Sequence, residues 1–239
     1  MITINLDKIK LTKGDRVCDI GCGSGRHIIA ISRMSNLNVI GLDRSFSDLI
    51  KAKENMILEE KFDQIHSKWA IAGGDIRKLP FPDSYFDLVI CSEVLEHINE
   101  KKLAINEIIR ILKPGKQLIV SVPRYLPEKI CWALSEDYHN TPGGHIRIFK
   151  TKQLIQDFEK KGLKKTGMHF AHGLHSPYWW LKCFFGHERN DVNLVNIYHR
   201  LLVWDIMKKP WITAFIEKLL NPFIGKSVVL YFYKKNLNN

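Results

Sequence analysis

The chain has 239 residues, 45 % hydrophobic and 26 % charged, with no internal repeat or low-complexity stretch, which excludes a fibrous or disordered protein and allows one domain with an elaboration. Its formal charge of +11 admits an anionic partner, whether nucleic acid, membrane surface or acidic substrate. Lysine and arginine are nevertheless spread along the chain among the acids, as on a generally solvated basic surface, so the charge names no substrate. The cysteines Cys18, Cys22, Cys91, Cys131 and Cys183 are odd in number and include no C-x-x-C pair, which fits a reducing compartment. The N-terminal stretch alternates polar and apolar residues. Neither a signal peptide nor a transmembrane span is expected, and the expected location is the cytoplasm.

In chain order, residues 2–13 are a short lead whose Ile4, Leu6, Ile9 and Leu11 can pack on a sheet. Val17 to His27 then reads as strand, glycine loop and helix: apolar Val17 and Ile20 suit a buried strand, and Gly21, Gly23 and Gly25 allow a tight turn. A ligand can sit there against bare backbone and a helix N-terminus. A dinucleotide fingerprint needs its third glycine at position 26, where Arg26 stands. Asp19 also brings negative charge to the place where a pyrophosphate would lie. A cation suits that place better.

Asn38 to Leu42 reads as a second strand ending in Asp43, about 20 residues past the loop, where an acid can accept hydrogen bonds from both ribose hydroxyls. The alternative for Asp43 is a helix N-terminal acid, in company with Ser45 and Asp48. The pattern predicts a helix over Ser47 to Lys61, a strand around Trp69 to Gly74 that is followed by Asp75, and a proline-broken connection into the strand Leu88 to Cys91. A helix near 100–112, a turn at Pro114-Gly115 and a strand from Gln117 to Val122 come next. A helix from Thr151 to Lys161, with Thr151 as cap and Gly162 as stop, leads to strands near Lys164 to Phe170 and Ser227 to Tyr233. Such alternation predicts an α/β protein with a mostly parallel sheet covered on both faces.

Val17 to Gly25 resembles the first motif of the class I S-adenosylmethionine-dependent methyltransferases. Leu79-Pro80-Phe81-Pro82-Asp83-Ser84-Tyr85-Phe86-Asp87 is similar to that family's Leu-Pro-Phe-x-Asp-x-x-Phe-Asp signature. Together with Asp43 and Asp75 in the right order, these motifs carry the resemblance over roughly residues 15 to 170. The ubiquinone- and menaquinone-pathway type (methyltransferase type 11) is the nearest named comparison, and the sequence as a whole, including the run His175-Ser176-Pro177-Tyr178-Trp179-Trp180, resembles an uncharacterised bacterial subgroup. The resemblance implies a three-layer, Rossmann-like sandwich on a seven-stranded sheet of order 3-2-1-4-5-7-6, with strand 7 antiparallel. It implies S-adenosylmethionine as methyl donor and S-adenosylhomocysteine as product. This donor has no phosphate but carries an ammonium and a sulfonium, which suit Asp19. The cofactor-binding set it implies is Asp19, Gly21, Cys22, Gly23, Asp43, Arg44, Asp75, Ile76 and Glu93, with Asp75 at the adenine amino group and the Ile76 amide facing the ring.

Candidate catalytic residues are His97 and His145. Ser92-Glu93-Val94-Leu95-Glu96-His97 follows strand four across the switch point from the glycine loop; as a helix it would put Glu93, Glu96 and His97 on one face. This Glu-x-x-Glu-His is similar to a pattern that holds a divalent metal in quinone-pathway and small-RNA methyltransferases. The same letters occur in family members without metal, and no metal is expected here. His145, after Gly143-Gly144, can approach a ligand closely or fix the turn, and His139 lies just upstream. His169, His172 and His175 match no recognised zinc spacing and are expected in packing or substrate contact.

The whole chain, 1–239, reads as a single domain in which 171–225 is a helical insertion between strands six and seven, with Arg124 to Phe149 a smaller one. The larger insertion holds Trp179, Trp180, Trp204 and Trp211, and Leu201 to Trp204 and Ile212 to Leu220 read as helical. An aromatic-rich cap suits a large apolar acceptor; a dimer interface or a basic membrane-surface patch are the alternatives. The expected function is methyl transfer to a small or lipid- or quinone-like molecule, at oxygen. Methylation of RNA is the alternative reading, and a non-catalytic binding protein of the same fold is the second. Oligomeric state is not legible.

Overall fold

In the computed structural model, which describes residues 2–34, 36–208 and 210–236, seven strands form one sheet: β1 (Arg16–Ile20), β2 (Asn38–Asp43), β3 (Lys68–Gly73), β4 (Phe86–Ser92), β5 (Leu112–Pro123), β6 (Leu163–Ala171) and β7 (Ser227–Lys234). Their order is β3-β2-β1-β4-β5-β7-β6. The pairs among β1 to β5 are parallel, and β7 lies antiparallel between β5 and β6. The order and the reversed strand are those implied by the resemblance.

All seven residues of β4 are buried, as expected for a parallel strand covered on both faces. Period-two alternation sorts its side chains between two apolar layers. Val17, Leu88 and Ile90 pack with Ile28 and Ile31 of α1 (Arg26–Ser32) and with Ala52 and Met56 of α2 (Phe46–Lys61). Cys18, Val89 and Cys91 face the opposite layer, built from Ile105 and Ile108 of α3 (Lys101–Ile111) and from Leu154 and Phe158 of α6 (Thr151–Glu159). The free cysteines of the strands therefore act as small apolar side chains. Ser45 caps α2 by accepting from the Asp48 amide, as the sequence suggests. Thr151 is not a cap. Lys150 occupies that position with no side-chain bond, and Thr151 is the first residue inside α6.

The Leu79 to Asp87 phrase has a structural explanation. Arg110 of α3 donates to the carbonyls of Leu79 and Phe81 and to Asp83, while Glu107, one turn earlier, accepts from the Leu79 amide at 2.7 Å. The proline-broken connection thus wraps around one arginine. Asp87 accepts from the Arg16 amide of β1 at 3.0 Å and pairs with Lys113 at 2.7 Å and Lys116 at 2.9 Å. Lys113 to Lys116 are not simply a loop before β5: Phe86 pairs with Leu112 but Leu88 with Gln117, so the turn is carried as a bulge that brings both ammonium groups to Asp87.

Two helical segments depart from the core at the carboxyl edge. After β5 come α4 (Tyr125–Leu134) and the short α5 (Glu136–His139), neither legible in the sequence. Between β6 and β7 lie α7 (His175–Phe185), α8 (Asn193–Lys208) and α9 (Trp211–Ile224), of which only parts of the last two were legible. The orientation of α9 is inverted. Its Thr213 is 6 % exposed and its Glu217 and Asn221 are half-buried, while Trp211, Phe215 and Phe223 are 76 %, 57 % and 74 % exposed. An ordinary surface helix turns its apolar stripe inward. Leu194, Ile197, Leu201, Trp204 and Met207 of α8 are exposed as well. Among the described residues no helix is long and apolar enough to cross a membrane.

Burial opposes ionisation of Asp87, but Lys113, the Arg16 amide and Lys116 outweigh it and hold its carboxyl below the ordinary value. A depressed folded-state pKa contributes stability that is complete above the unfolded value, about 3.9, and fades as pH falls through the folded value. Asp87→Asn is therefore expected to lower unfolding free energy by about 2 kcal/mol near neutral pH. Urea titrations repeated towards pH ~3 should show the gap to wild type closing.

Candidate functional site

A cavity of about 460 Å³ opens at the carboxyl edge of the sheet, where β1 diverges from β4. This is the switch point at which open α/β sheets bind ligands. The glycine loop forms one wall. Gly21 has a φ of 70° and no room for a Cβ, which would collide with Val94. Gly23, with a φ of 52°, faces open space, so any side chain there would fill the cradle.

The loop is tied to Asp43, whose carboxylate accepts from the Gly23 amide at 2.9 Å and from the Ser45 amide at 2.9 Å. Two amide bonds leave lone pairs free for a diol. Arg44 and Asp48 line the same rim. Ile20, Leu42 and Ile76 make the apolar part of the wall. Asp75 lines it too, but its carboxylate is gripped by the Arg77 guanidinium, which reaches on to Glu100 at 3.0 Å. The Arg77 hydrogen bonds hold the Asp75 carboxyl below its usual range.

Asp19 lies beneath the loop and off the cavity wall, 1 % exposed, and neither carboxylate oxygen has a hydrogen-bond partner. Its nearest neighbour of opposite potential charge is His27, with Nδ1 3.7 Å away. His27 Nε2 accepts from the Thr3 amide, which puts the ring proton on Nδ1, facing Asp19. An orphaned acid under a glycine cradle fits a cationic ligand group. Cys22 is buried and off the wall as well; burial pushes its thiol pKa up, so it contributes backbone rather than a nucleophile.

The floor is Glu93, and here the geometry overturns the helical face expected for Glu93, Glu96 and His97. Glu93 has a φ of 57°, a strained value for a side-chain-bearing residue, and only Leu95–His97 forms a short 3-10 turn. The Glu93 conformation is held by two bonds to Ser121: its amide donates to the carbonyl at 2.9 Å and its carboxylate accepts from the hydroxyl at 2.7 Å. Glu96 instead points into the interior, fully buried with no hydrogen bond to its carboxylate, and burial raises its pKa.

His97 lines the cavity, and its Nδ1 stands 2.9 Å from the Gly144 carbonyl. A carbonyl can only accept, so Nδ1 carries the proton and Nε2 keeps a free lone pair. Burial lowers the His97 pKa and favours this neutral form. His145 lies beside it, ring centroids 5.0 Å apart, with Nδ1 2.5 Å from the Glu128 carboxylate. Burial would raise the Glu128 pKa, but the His145 contact prevails and keeps it low. Ligand-capable atoms of Glu96, His97 and His145 lie within 4.8 Å of one another; Glu93 is not in that group. His139 is not brought to the site and stacks on Trp132 at 3.9 Å. Sequence reasoning missed Glu128 and Lys226. Lys226 is desolvated, which lowers its pKa, and its ammonium sits 4.2 Å over the Trp179 ring. No spacing signal links these residues to His145.

A methyltransferase domain family model matches residues 11–167, from ahead of β1 into β6. The chain is 31 % identical over 138 residues to a sterol 24-C-methyltransferase of Eremothecium gossypii, covering 58 % of this chain and 34 % of that protein. It is 31 % identical over 110 residues to the 27-O-demethylrifamycin SV methyltransferase of Amycolatopsis mediterranei, covering 46 % and 39 %. It thus spans little more than a third of these relatives' lengths. A SAM-dependent methyltransferase structure from Methanosarcina mazei superposes with a TM-score of 0.62 at 15 % identity, covering 94 % of each chain, which shows the shared fold. Because the matched family spans the strands that build this cavity, the chain belongs to the class I S-adenosylmethionine-dependent methyltransferases, and S-adenosylmethionine is its cofactor.

Proposed function

We propose that the enzyme methylates a hydroxyl of a small lipid-like or quinone-like molecule, and that it meets this acceptor at a membrane surface. The inverted α9 carries the reading. Trp211, Ile212, Phe215, Leu219 and Phe223 form an apolar stripe facing water, continued by Trp204 and Met207 of α8. The exposed charges on the two helices, Arg200, Lys208 and Lys218, are all basic, whereas Asp205 and Glu217 are half-buried. A basic rim around an aromatic and aliphatic stripe suits the interface of an anionic bilayer. The relative named as a sterol methyltransferase acts on a lipid, and the one named as a demethylrifamycin methyltransferase acts at oxygen. Residues 171–225 then serve as the substrate cap, which reaches the histidine pair through Trp179, packed on Tyr138 beside His145.

When bound, S-adenosylmethionine supplies an electrophilic methyl group for in-line displacement. The glycine loop, Asp43, Arg44, Asp75, Ile76 and Glu93 would hold it, with Asp43 at the ribose, Asp75 and Ile76 at the adenine, and Asp19 and Cys22 supporting the loop from below. His97, neutral with a free Nε2, takes the proton of the acceptor hydroxyl. His145, fixed by Glu128, packs against the His97 ring and positions it.

Asp43→Ala is expected to weaken S-adenosylmethionine binding by at least about tenfold in calorimetry, roughly 1.4 kcal/mol, with His145→Ala changing it by less than about threefold. Equal losses would refute this division of roles. With methyl-tritiated donor and a total cell extract as acceptor, label should enter the solvent-extractable lipid fraction and resist ribonuclease. Label in RNA would establish the nucleic-acid reading instead. In flotation, the protein should rise with vesicles containing about a third anionic lipid, and Trp211→Glu with Phe215→Glu should leave it at the bottom.

A further inference from the structure

Where β6 runs into α7, His169, His172 and His175 recur at every third position, a spacing that suggests no metal. The fold brings a further ligand-capable group to two of them. Glu217 of α9 reaches the end of β6, and ligand-capable atoms of His172, His175 and Glu217 lie within 4.8 Å of one another. His172 Nδ1 is 3.9 Å from Glu217 Oε1. Two ligand-capable atoms of these residues, His175 Nδ1 and Glu217 Oε1, are sealed from solvent without a hydrogen-bond partner. Leaving such atoms unsatisfied costs about 1–3 kcal/mol each, which calls for an explanation.

His172 already has what a metal-bound imidazole needs on its far side: its Nε2 is 3.2 Å from the Thr3 hydroxyl, an acceptor for the second ring proton. The residue is held at a φ of 66°, an uncommon conformation for a histidine and one that aims its ring. His169 is not part of the converging group; its Nε2 lies 3.3 Å from the Thr3 carbonyl. Asp205 of α8 adds negative charge near His175 and Glu217, while Arg26 and Lys226 act in the opposite sense on His172.

We propose that His172, His175 and Glu217 form a zinc-type metal site that fastens the α7–α9 insertion to the end of β6. Two imidazoles and one carboxylate are the ligand chemistry of a divalent first-row ion, not of magnesium or calcium, which take oxygen. Ligand atoms around a tetrahedral zinc, each about 2 Å from the ion, lie a little over 3 Å apart, so the three need close by no more than about 1.5 Å. The fourth position is left to water. The site is separate from the Glu96, His97 and His145 group of the cavity, and it does not depend on the acceptor.

Protein stripped with EDTA and dialysed is titrated with zinc, read by elemental analysis, and with cobalt, read by its visible d–d bands. The expected result is about one equivalent bound at micromolar concentration, tetrahedral cobalt bands, and a rise in Tm on zinc addition. Glu217→Gln and His175→Ala should each weaken zinc binding by at least about tenfold, and His97→Ala should retain it. Wild-type protein that binds no zinc at micromolar concentration overturns the proposal. So does binding that survives both Glu217→Gln and His175→Ala, or that disappears in His97→Ala. Should either cluster variant fail to fold, cobalt titration of the wild type followed by its imidazole NMR signals decides: paramagnetic shifts at His172 and His175 support the site, and shifts at His97 and His145 alone refute it.

Discussion

Three hydrogen bonds fasten the glycine loop to the end of the neighbouring strand, and the cavity at the switch point exists because of them. The amides of Gly21 and Cys22 both donate to the Leu42 carbonyl, at 2.7 and 3.1 Å, and the Gly23 amide donates to the Asp43 carboxylate. Amide groups that would otherwise end β1 unpaired are satisfied by β2, so the turn needs no ligand to hold its shape. The same bonds orient Asp43 towards the cavity and leave the orphaned Asp19 beneath the loop. Preorganisation of this kind lets a small cofactor bind without ordering its own pocket.

Three buried carboxylates near the reaction centre are handled in three ways. Glu128 is ionised because His145 pairs with it; Glu96 has no partner, and burial favours its neutral form; Asp19 has neither a hydrogen bond nor solvent. In a medium of low dielectric these differences set the local field more strongly than the +11 of the whole chain. The functional chemistry is concentrated where the surface charge is least informative.

The core strands were legible because a parallel sheet covered on both faces writes itself as short apolar runs between turns, and β1, β2 and β4 follow that rule. The glycine loop, Asp43 and Asp75 were legible because backbone approach and charge each demand one residue type at one place. Glu-x-x-Glu-His misled because helical spacing was assumed where Glu93 takes a positive φ and Glu96 turns inward. Glu128 and Lys226 had no signal, since the fold alone brings them to His145 and Trp179. Helix α7 was hidden by its aromatic residues and Pro177. The amphipathicity of α9 could be read, but not which face would turn outward, because Glu217 and Asn221 meet partners distant in sequence. Asn221, for example, accepts from the Gly173 amide at 2.8 Å.

β7 lies between β5 and β6, and its first residue, Ser227, pairs with Ala171, the last residue of β6. The α7–α9 segment therefore leaves and re-enters the sheet at two adjacent points. Chain length between such points costs little closure entropy, growing only with its logarithm. The segment is a replaceable module on a fixed socket: it can lengthen, shorten or be exchanged without altering a single strand pairing or the cofactor cradle. Change in length or sequence can accumulate at that junction while the parallel core stays constant.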